Sequence, residues 1–275
     1  MEGDLRGVKR VLILPQFNEF GTVAEVLSGA APEVDHIIVV NDGSTDASAL
    51  LVTAWMLKAA YGSKATLISL GRNRGMSGAL LAGLCYVWKM IEAGALRESD
   101  TVLTMDADGQ HDPADIPGLC SWLKKSDAGM VLGRRDLGGY PAFKRFGNAL
   151  LSAWATWLSG NQYTDVESGF RAMRAGVAVD LLRFFTGWKY TCAQEIGIIA
   201  PRAGHRVDNT YPVKIRYYRD GARMRDGLAN AFMAGWALIR VKLGVASDPA
   251  ARADRVLRQA CVVCAADLCR RLAEC

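Results

Sequence analysis

The sequence predicts an α/β fold with a mostly parallel, Rossmann-like sheet and helices on both faces. Short, continuous apolar runs alternate with helical segments between residues 8 and 132. Strands that are apolar throughout are typical of a sheet covered on both faces, and parallel neighbours need such crossover helices. A polar loop follows each of the first four runs, so four loops are expected at one edge, where open α/β sheets bind ligands.

The elements follow one another at regular spacing in the first half of the chain. The predicted strands cover residues 8–14, 35–40, 65–70, 101–105 and 128–132. The predicted helices between them cover 22–30, 47–61, 79–93 and 113–125. Asp46 near the start of the second helix and Asp112-Pro113 before the fourth are typical helix-starting residues.

The pattern is less regular after residue 133. It predicts helices over 150–158, 177–185, 194–204, 226–243 and 249–275, and one strand over 211–218. A break at 246–249 is the best boundary for a tail. The predicted organisation is a main domain over 1–210, a basic and amphipathic segment over 211–246, and a C-terminal, cysteine-containing helix over 247–275.

The composition indicates a packed core and a modest excess of positive charge. Hydrophobic residues make up 51% and charged residues 22%, with a net charge of +5. Such an excess favours anionic partners, although ordinary surface residues explain it equally well. The basic residues lack the aromatic stacking platform of a nucleic-acid binder, so no nucleic-acid partner is expected. No apolar run reaches the roughly 20 residues that span a bilayer.

Seven cysteines are present, four of them in the last fifteen residues. An odd number without a signal peptide favours a reducing compartment, here the cytoplasm. Cys261 and Cys264 form one CxxC without a second pair, so a buried helix face is favoured over metal or redox use.

The segment VLTMDADGQH, residues 102–111, is the most informative part of the sequence. It delivers Asp106 and Asp108 at the end of a predicted strand. Two carboxylates so close to each other must repel, have a raised pKa or share a cation. Mg²⁺ and Mn²⁺ prefer oxygen ligands and keep positions open for phosphate, and Gln110 offers one more oxygen. The alternative, a turn before a helix, accounts for Asp112 better than for the pair.

Asp42 follows the second predicted strand. Its carboxylate can accept hydrogen bonds from ribose hydroxyls or from a base N–H. The alternative is a structural Asx-turn over residues 41–43.

Five segments occur in the order typical of family 2 glycosyltransferases: LPQFNE, VVNDGSTDAS, GRNRGMSGALLAGL, TMDADGQHDP and TDVESGFRAMR. From about residue 8 to 243 the chain resembles this family, and within it the dolichyl- and polyprenyl-phosphate mannose and glucose synthases. The resemblance implies the GT-A fold with C-terminal amphipathic helices. It also implies metal-dependent, inverting transfer of a hexose from a GDP- or UDP-sugar, such as GDP-mannose, to a polyprenyl phosphate.

The resemblance implies roles for individual residues. Those expected to bind the donor are Pro15, Asn18, Glu19, Asp42, Gly75 and Asp106. Those expected to hold Mg²⁺ or Mn²⁺ are Asp106, Asp108 and Gln110. Those expected to bind the acceptor phosphate are Arg134, Arg145, Ser168, Arg171 and Arg219. The catalytic set is Asp108, Arg134, Asp165, Arg171 and Glu195. Departures from the family pattern at Gln16-Phe17 and Glu167 bear on the choice of donor or acceptor.

The need for a general base depends on the acceptor. A hydroxyl acceptor needs one, and Asp165, Glu167 and Glu195 are the candidates. A phosphate monoester is largely ionised at pH 7, because its second pKa is about 6. It therefore needs no general base, only a binding site formed by positively charged side chains.

The segment after residue 210 suggests peripheral association with the cytoplasmic membrane face. Basic residues alternate with tyrosines, and Leu228, Phe232, Trp236 and Ile239 follow on one helical face. The alternative is a core-facing helix with a solvated basic loop. Two other functions stay open: transfer to a soluble acceptor, such as a small phosphorylated acid, and a non-catalytic nucleotide-sugar-binding subunit.

Overall fold

The computed structural model describes residues 9–58, 60–216, 224–264 and 267, with 224–230 described as backbone. Ten strands lie in these residues: β1 (Arg10–Gln16), β2 (His36–Asn41), β3 (Ala65–Leu70), β4 (Thr101–Thr104), β5 (Met130–Leu132), β6 (Arg134–Arg135), β7 (Arg171–Arg174), β8 (Val207–Asp208), β9 (Pro212–Val213) and β10 (Ala260–Cys264). The α-helices of the same residues are α1 (Val23–Ala30), α2 (Ser48–Lys58), α3 (Met76–Glu92), α4 (Ile116–Lys125), α5 (Ala142–Ser159), α6 (Ala175–Phe184), α7 (Cys192–Arg202), α8 (Met224–Lys242) and α9 (Pro249–Leu257).

The main sheet confirms the predicted α/β architecture. Its strand order is β10-β3-β2-β1-β4-β7-β5-β8, while β6 and β9 form a separate parallel pair. Strands β3, β2, β1 and β4 are parallel to one another. Two strands run the other way: β7 lies antiparallel between β4 and β5, and β10 lies antiparallel beside β3.

Strand β1 shows why both faces of the sheet are covered. Its side chains alternate between two cores because successive residues of a strand point to opposite faces. Val11 and Ile13 pack into the core that contains residues of α3, α6 and α7. Leu12 and Leu14 pack into the core that contains residues of α1, α2 and α4. The uninterrupted apolar run of this strand therefore serves two layers of helices.

The predicted helix over 249–275 is wrong between residues 258 and 264. Asp248 caps α9 by accepting a hydrogen bond from Ala251 N, and the chain then turns back into β10. The β-branched Val262 and Val263 favour an extended chain, and the outer edge of β3 offers unpaired backbone groups to it. Cys261 and Cys264 thus lie on an edge strand rather than on a helix face, and Cys269 and Cys275 lie outside the described residues.

Other elements also differ from the prediction. The strand predicted over 211–218 is reduced to β9 and a bridge between Ile215 and His111. Strand β7 was not predicted, because four residues after a glycine-containing loop carry little periodicity. Helix α5 begins at Ala142 rather than at residue 150. The prediction missed its first half because the apolar side chains there face solvent instead of the core. The division at residues 210 and 246 remains a prediction.

Candidate active site

The loops after β1, β2, β3 and β4 meet at one edge of the sheet, as the sequence predicts, and surround a cleft. The N-terminus of α3 and the loop before α7 complete its walls. The lining residues are Pro15, Gln16, Phe17, Glu19, Asp42, Asn73, Met76, Ala79, Asp106, Ala107, Asp108 and Tyr190.

The acidic pair lies in this cleft. Asp106 follows β4, and the chain turns at Gly109, where φ is +75°. Burial and the negative charge of Asp108 raise the pKa of Asp106 to about 6, while the nearby guanidinium groups of Arg171 and Arg135 act in the opposite direction. Two carboxylates at such a short spacing form an oxygen-rich site of the kind that hard divalent cations prefer.

Other protein groups add little to this oxygen site. No cluster of three or more His, Cys, Asp or Glu side chains suited to a metal occurs within residues 9–58, 60–216, 224–264 and 267. Gln110 does not line the cleft; its backbone N–H donates to Asp108 Oδ1, and its carbonyl accepts from Arg216 N. Among the described residues the two aspartates, with Glu19 in the same cleft, offer carboxylate oxygens, which fits a cation whose other positions are filled by phosphate and water.

The SGFR segment (residues 168–171) packs directly against the acidic pair. Thr104 Oγ1 donates a hydrogen bond of 2.8 Å to the Gly169 carbonyl. A Cβ on Gly169 would lie 2.9 Å from Cγ of Asp106 and closer still to its Oδ2. Gly169 is thus the residue that leaves room for the Asp106 carboxylate.

Asp42 joins the loop after β2 to the loop after β3. Its two carboxylate oxygens accept hydrogen bonds of 2.8 Å from the backbone N–H groups of Arg74 and Gly75. Burial raises the pKa of Asp42, and these two N–H groups act against that rise. The structural turn at this place is closed by Asn41, whose Oδ1 accepts from Ser44 N three residues on, so it does not account for Asp42.

Gly75 is the cap of α3 and has φ +80°. A Cβ here would lie 2.7 Å from the carbonyl oxygen of Lys189, which also accepts a hydrogen bond from Ser77 N. The glycine therefore lets the loop before α7 close over the start of α3, and that loop brings Tyr190 to the cleft.

Asn18 is brought near the cleft but supports a loop. Its backbone adopts a positive φ of 55°, and its Oδ1 accepts hydrogen bonds from Thr45 N and Asp46 N. Pro15 and Glu19, by contrast, line the cleft directly.

Two arginines lie behind the acidic pair. Arg135 forms a bidentate ion pair with Asp165, with Nε and Nη2 at 2.8 and 2.7 Å from the two carboxylate oxygens. Arg171 is 98% buried, and within the described residues its Nε has no hydrogen-bond partner. Ser168 is also buried, and its Oγ likewise has no hydrogen-bond partner within the described residues. Arg171 and Ser168 do not line the cleft, but the guanidinium group of Arg171 acts on the charge of Asp106.

Two of the predicted catalytic carboxylates, those of Asp165 and Glu195, are engaged by neighbouring side chains. Asp165 is buried, and both of its oxygens are occupied by Arg135, so it is poorly placed to take a proton. Glu195 does not line the cleft; Thr186 and Thr191 donate three hydrogen bonds to it between α6 and α7.

The remaining predicted cations are less central. Arg134 is exposed on β6 and Arg145 is exposed on α5, neither of them lining the cleft, and Arg219 lies outside the described residues. Sequence reasoning ranked Arg134 above Arg135, although alternation along β6 turns Arg135 inward. It missed Asn73, Met76 and Tyr190; only Asn73, in the glycine-rich loop, carried a sequence signal.

Residues 11–172, more than half of the chain, match the model of the family described as "Glycosyl transferase family 2". The chain belongs to glycosyl transferase family 2. This glycosyltransferase is 27% identical over 252 residues to the UDP-N-acetylglucosamine–dolichyl-phosphate N-acetylglucosaminyltransferase of Methanococcus voltae, covering 86% of this chain and 97% of the relative. It is 30% identical over 184 residues to the undecaprenyl-phosphate mannosyltransferase of Micrococcus luteus, covering 62% of this chain and 70% of the relative.

A solved structure confirms the GT-A fold. Glucosyl-3-phosphoglycerate synthase from Mycobacterium tuberculosis, crystallised with Mn²⁺, UDP and phosphoglyceric acid, superposes with a TM-score of 0.59 and 19% identity. The superposition covers 86% of this chain and 78% of that protein. At this identity the likeness is one of fold.

Proposed function

We propose that this glycosyltransferase moves a hexose from a nucleoside-diphosphate sugar to a polyprenyl phosphate at the cytoplasmic face of a membrane. The observation that carries the proposal is that the acidic pair and Asp42 line one cleft, with Gly169 of the SGFR segment packed against Asp106. The two relatives named for transfer to dolichyl and undecaprenyl phosphate support the acceptor class.

Asp106 and Asp108 are proposed to hold Mg²⁺ or Mn²⁺. The raised pKa of Asp106 fits this role, because a neighbouring cation favours the charged carboxylate that burial disfavours. A bound cation would neutralise the charge that develops on the leaving diphosphate. Asp42, with Arg74 and Gly75 fixed on it, is proposed to contact the nucleoside, and Pro15 and Glu19 to border it.

The acceptor phosphate is proposed to bind at Arg171 and Ser168. A phosphate carries its own negative charge, so it can attack without a base, and the commitment of Asp165 to Arg135 is no obstacle to this reaction. The buried Nε of Arg171 can donate to a phosphate oxygen more strongly than it could in water.

A hydroxyl-bearing soluble acceptor is the second candidate, and one observation favours it. The Glu167 carboxylate accepts a hydrogen bond of 2.7 Å from Gln194 and lies in the field of Arg135 and Arg171. Burial raises the pKa of Glu167, which suits a group that must accept a proton during attack.

A transfer assay separates the two candidates. UDP- and GDP-hexoses would be offered with Mn²⁺ or Mg²⁺ and either a short polyprenyl phosphate or 3-phosphoglycerate. The proposal predicts a lipid-linked product and a Glu167→Gln variant that keeps most of its activity. Transfer to 3-phosphoglycerate alone, abolished by Glu167→Gln, would establish the second candidate instead.

A further inference from the structure

Helix α5 exposes a stripe of large apolar side chains to solvent. They are Phe143, Phe146, Leu150, Trp154 and Trp157, with exposed fractions of 60%, 73%, 61%, 37% and 70%. Spacings of three and four residues place them on one face of the helix. The opposite face, which carries Ser152, Ala155 and Leu158, is buried against the core. The exposed stripe is therefore turned away from the packing of α5 against the core.

Helix α8 extends this surface. Phe232, Trp236, Ile239 and Leu243 again follow at spacings of four and three, with exposed fractions of 73%, 45%, 45% and 71%. The two helices pack against each other, and Trp154 Nε1 donates a hydrogen bond of 3.1 Å to the Ala231 carbonyl. We call these two neighbouring stripes the apolar platform. A contiguous apolar surface of this kind is rare on a monomer that stays in water.

The charges around the apolar platform identify what covers it. Residues 142–159 and 231–243 contain no Asp or Glu, whereas Lys144, Arg145, Arg240 and Lys242 lie among them. Aromatic and aliphatic side chains bordered by cations fit an anionic lipid surface. A second copy of the chain fits poorly, because a two-fold contact would bring the same cations face to face.

Helix α5 is also tied to the candidate active site at both ends. Arg135 precedes it and Asp165 follows it, and the ion pair between them closes the segment into a loop beside the acidic pair. Val166 N donates to Ser152 Oγ in the middle of the helix. A surface in contact with the apolar platform would therefore lie beside the chain segment that leads from α5 to Arg171.

We propose that the apolar platform, with α5 as its principal helix, rests on an anionic lipid surface. The inference extends the proposed function, on which it rests for its acceptor: a lipid-borne phosphate would reach Arg171 while its chain stays in the bilayer. No helix among the described residues is long and apolar enough to cross a membrane.

Vesicle flotation tests this proposal. The full-length protein would be mixed with vesicles of phosphatidylcholine and phosphatidylglycerol in equal amounts, and with phosphatidylcholine alone. We expect flotation with the anionic vesicles that weakens as salt is added. Phe146→Glu and Trp157→Glu should each lower partitioning about tenfold or more, because each removes an apolar group from the lipid and adds a repelled charge.

Leu50→Glu is the matched control. Leu50 lies on α2 and is 73% exposed, like Phe146, so it undergoes the same change in charge at an equally accessible position. It should float like the wild type. Unchanged thermal unfolding of all three variants would show that they fold. Variants that float as well as wild type, or a wild type that does not float, would overturn the proposal.

Two further measurements separate this inference from the proposed function. Phe146→Glu should keep transfer to a short, water-soluble polyprenyl phosphate and lose transfer to a long one embedded in vesicles. If the wild type transfers sugar to neither polyprenyl phosphate but still floats through the apolar platform, the proposed acceptor is wrong, whereas the inferred contact with lipid is supported. Sedimentation showing a dimer that Phe146→Glu dissociates would instead assign the apolar platform to a second copy.

Discussion

Replacing Gly169 with alanine should displace the Asp106 carboxylate while lowering the stability of the fold only slightly. The added Cβ would stand 2.9 Å from Cγ and 3.0 Å from Oδ1 of Asp106, where ordinary contacts begin near 3.4 Å, and it would be closer still to Oδ2. Because the obstructing atoms end a side chain, the carboxylate can move aside, so we expect a stability loss of about 1 kcal/mol. A displacement on the order of 1 Å at a reacting site can lower the rate about 100-fold.

The assay is kcat/KM for the donor at saturating Mn²⁺, together with urea unfolding of the same preparations. Gly21→Ala is the control, because Gly21 lies in the loop after β1 and a Cβ there meets nothing within 4 Å. We expect a loss of about 100-fold for Gly169→Ala and none for Gly21→Ala. Activity of Gly169→Ala within twofold of wild type, with Asp106 unmoved, would show that Gly169 does not set the position of the Asp106 carboxylate.

Three other predictions concern the groups around the cleft and the core. Asp165→Asn leaves Arg135 buried without its charge partner, so urea unfolding should show a loss of about 3–5 kcal/mol; no loss would mean that the pair is not formed. Gly75→Ala forces a positive φ and a clash with Lys189, and thermal unfolding should show a loss of about 1–3 kcal/mol; unchanged stability would contradict the close contact. Burial lowers the pKa of His36 to about 4 against an ordinary 6.5, so the unfolded chain binds the extra proton first. Stability should therefore fall as pH drops from 6.5 to 4, by up to about 3 kcal/mol, and His36→Gln should flatten that fall in urea titrations; an identical fall in the variant would contradict the assignment.

Much of the fold could be predicted from the sequence, because the first half of the chain repeats one simple signal. The strand predicted over 65–70 coincides with β3, and the other early strands shift by two residues or fewer. Apolar runs of this kind specify both the strand and its double-sided burial. Strands β7 and β10 escaped prediction because their places depend on partners distant in the chain, such as the free edge of β3.

The candidate site divides in the same way. The loops that follow β1 to β4 could be placed together from the order of the strands, and Asp42, Asp106 and Asp108 do line one cleft. Which groups bond to these carboxylates could not be read from the sequence: Asp165 pairs with Arg135, thirty residues away, and Glu195 accepts hydrogen bonds from two threonines. Long-range contacts of this kind are set by tertiary packing.

If the acidic pair holds a divalent cation for a nucleoside diphosphate, calorimetry should show that the cation strengthens nucleotide binding. UDP and GDP would be titrated into the wild type and into Asp108→Asn, with and without Mn²⁺. We expect binding of one nucleotide that strengthens at least about tenfold when Mn²⁺ is added, and no such gain in the variant. An equal gain from Mn²⁺ in both proteins would contradict the claim.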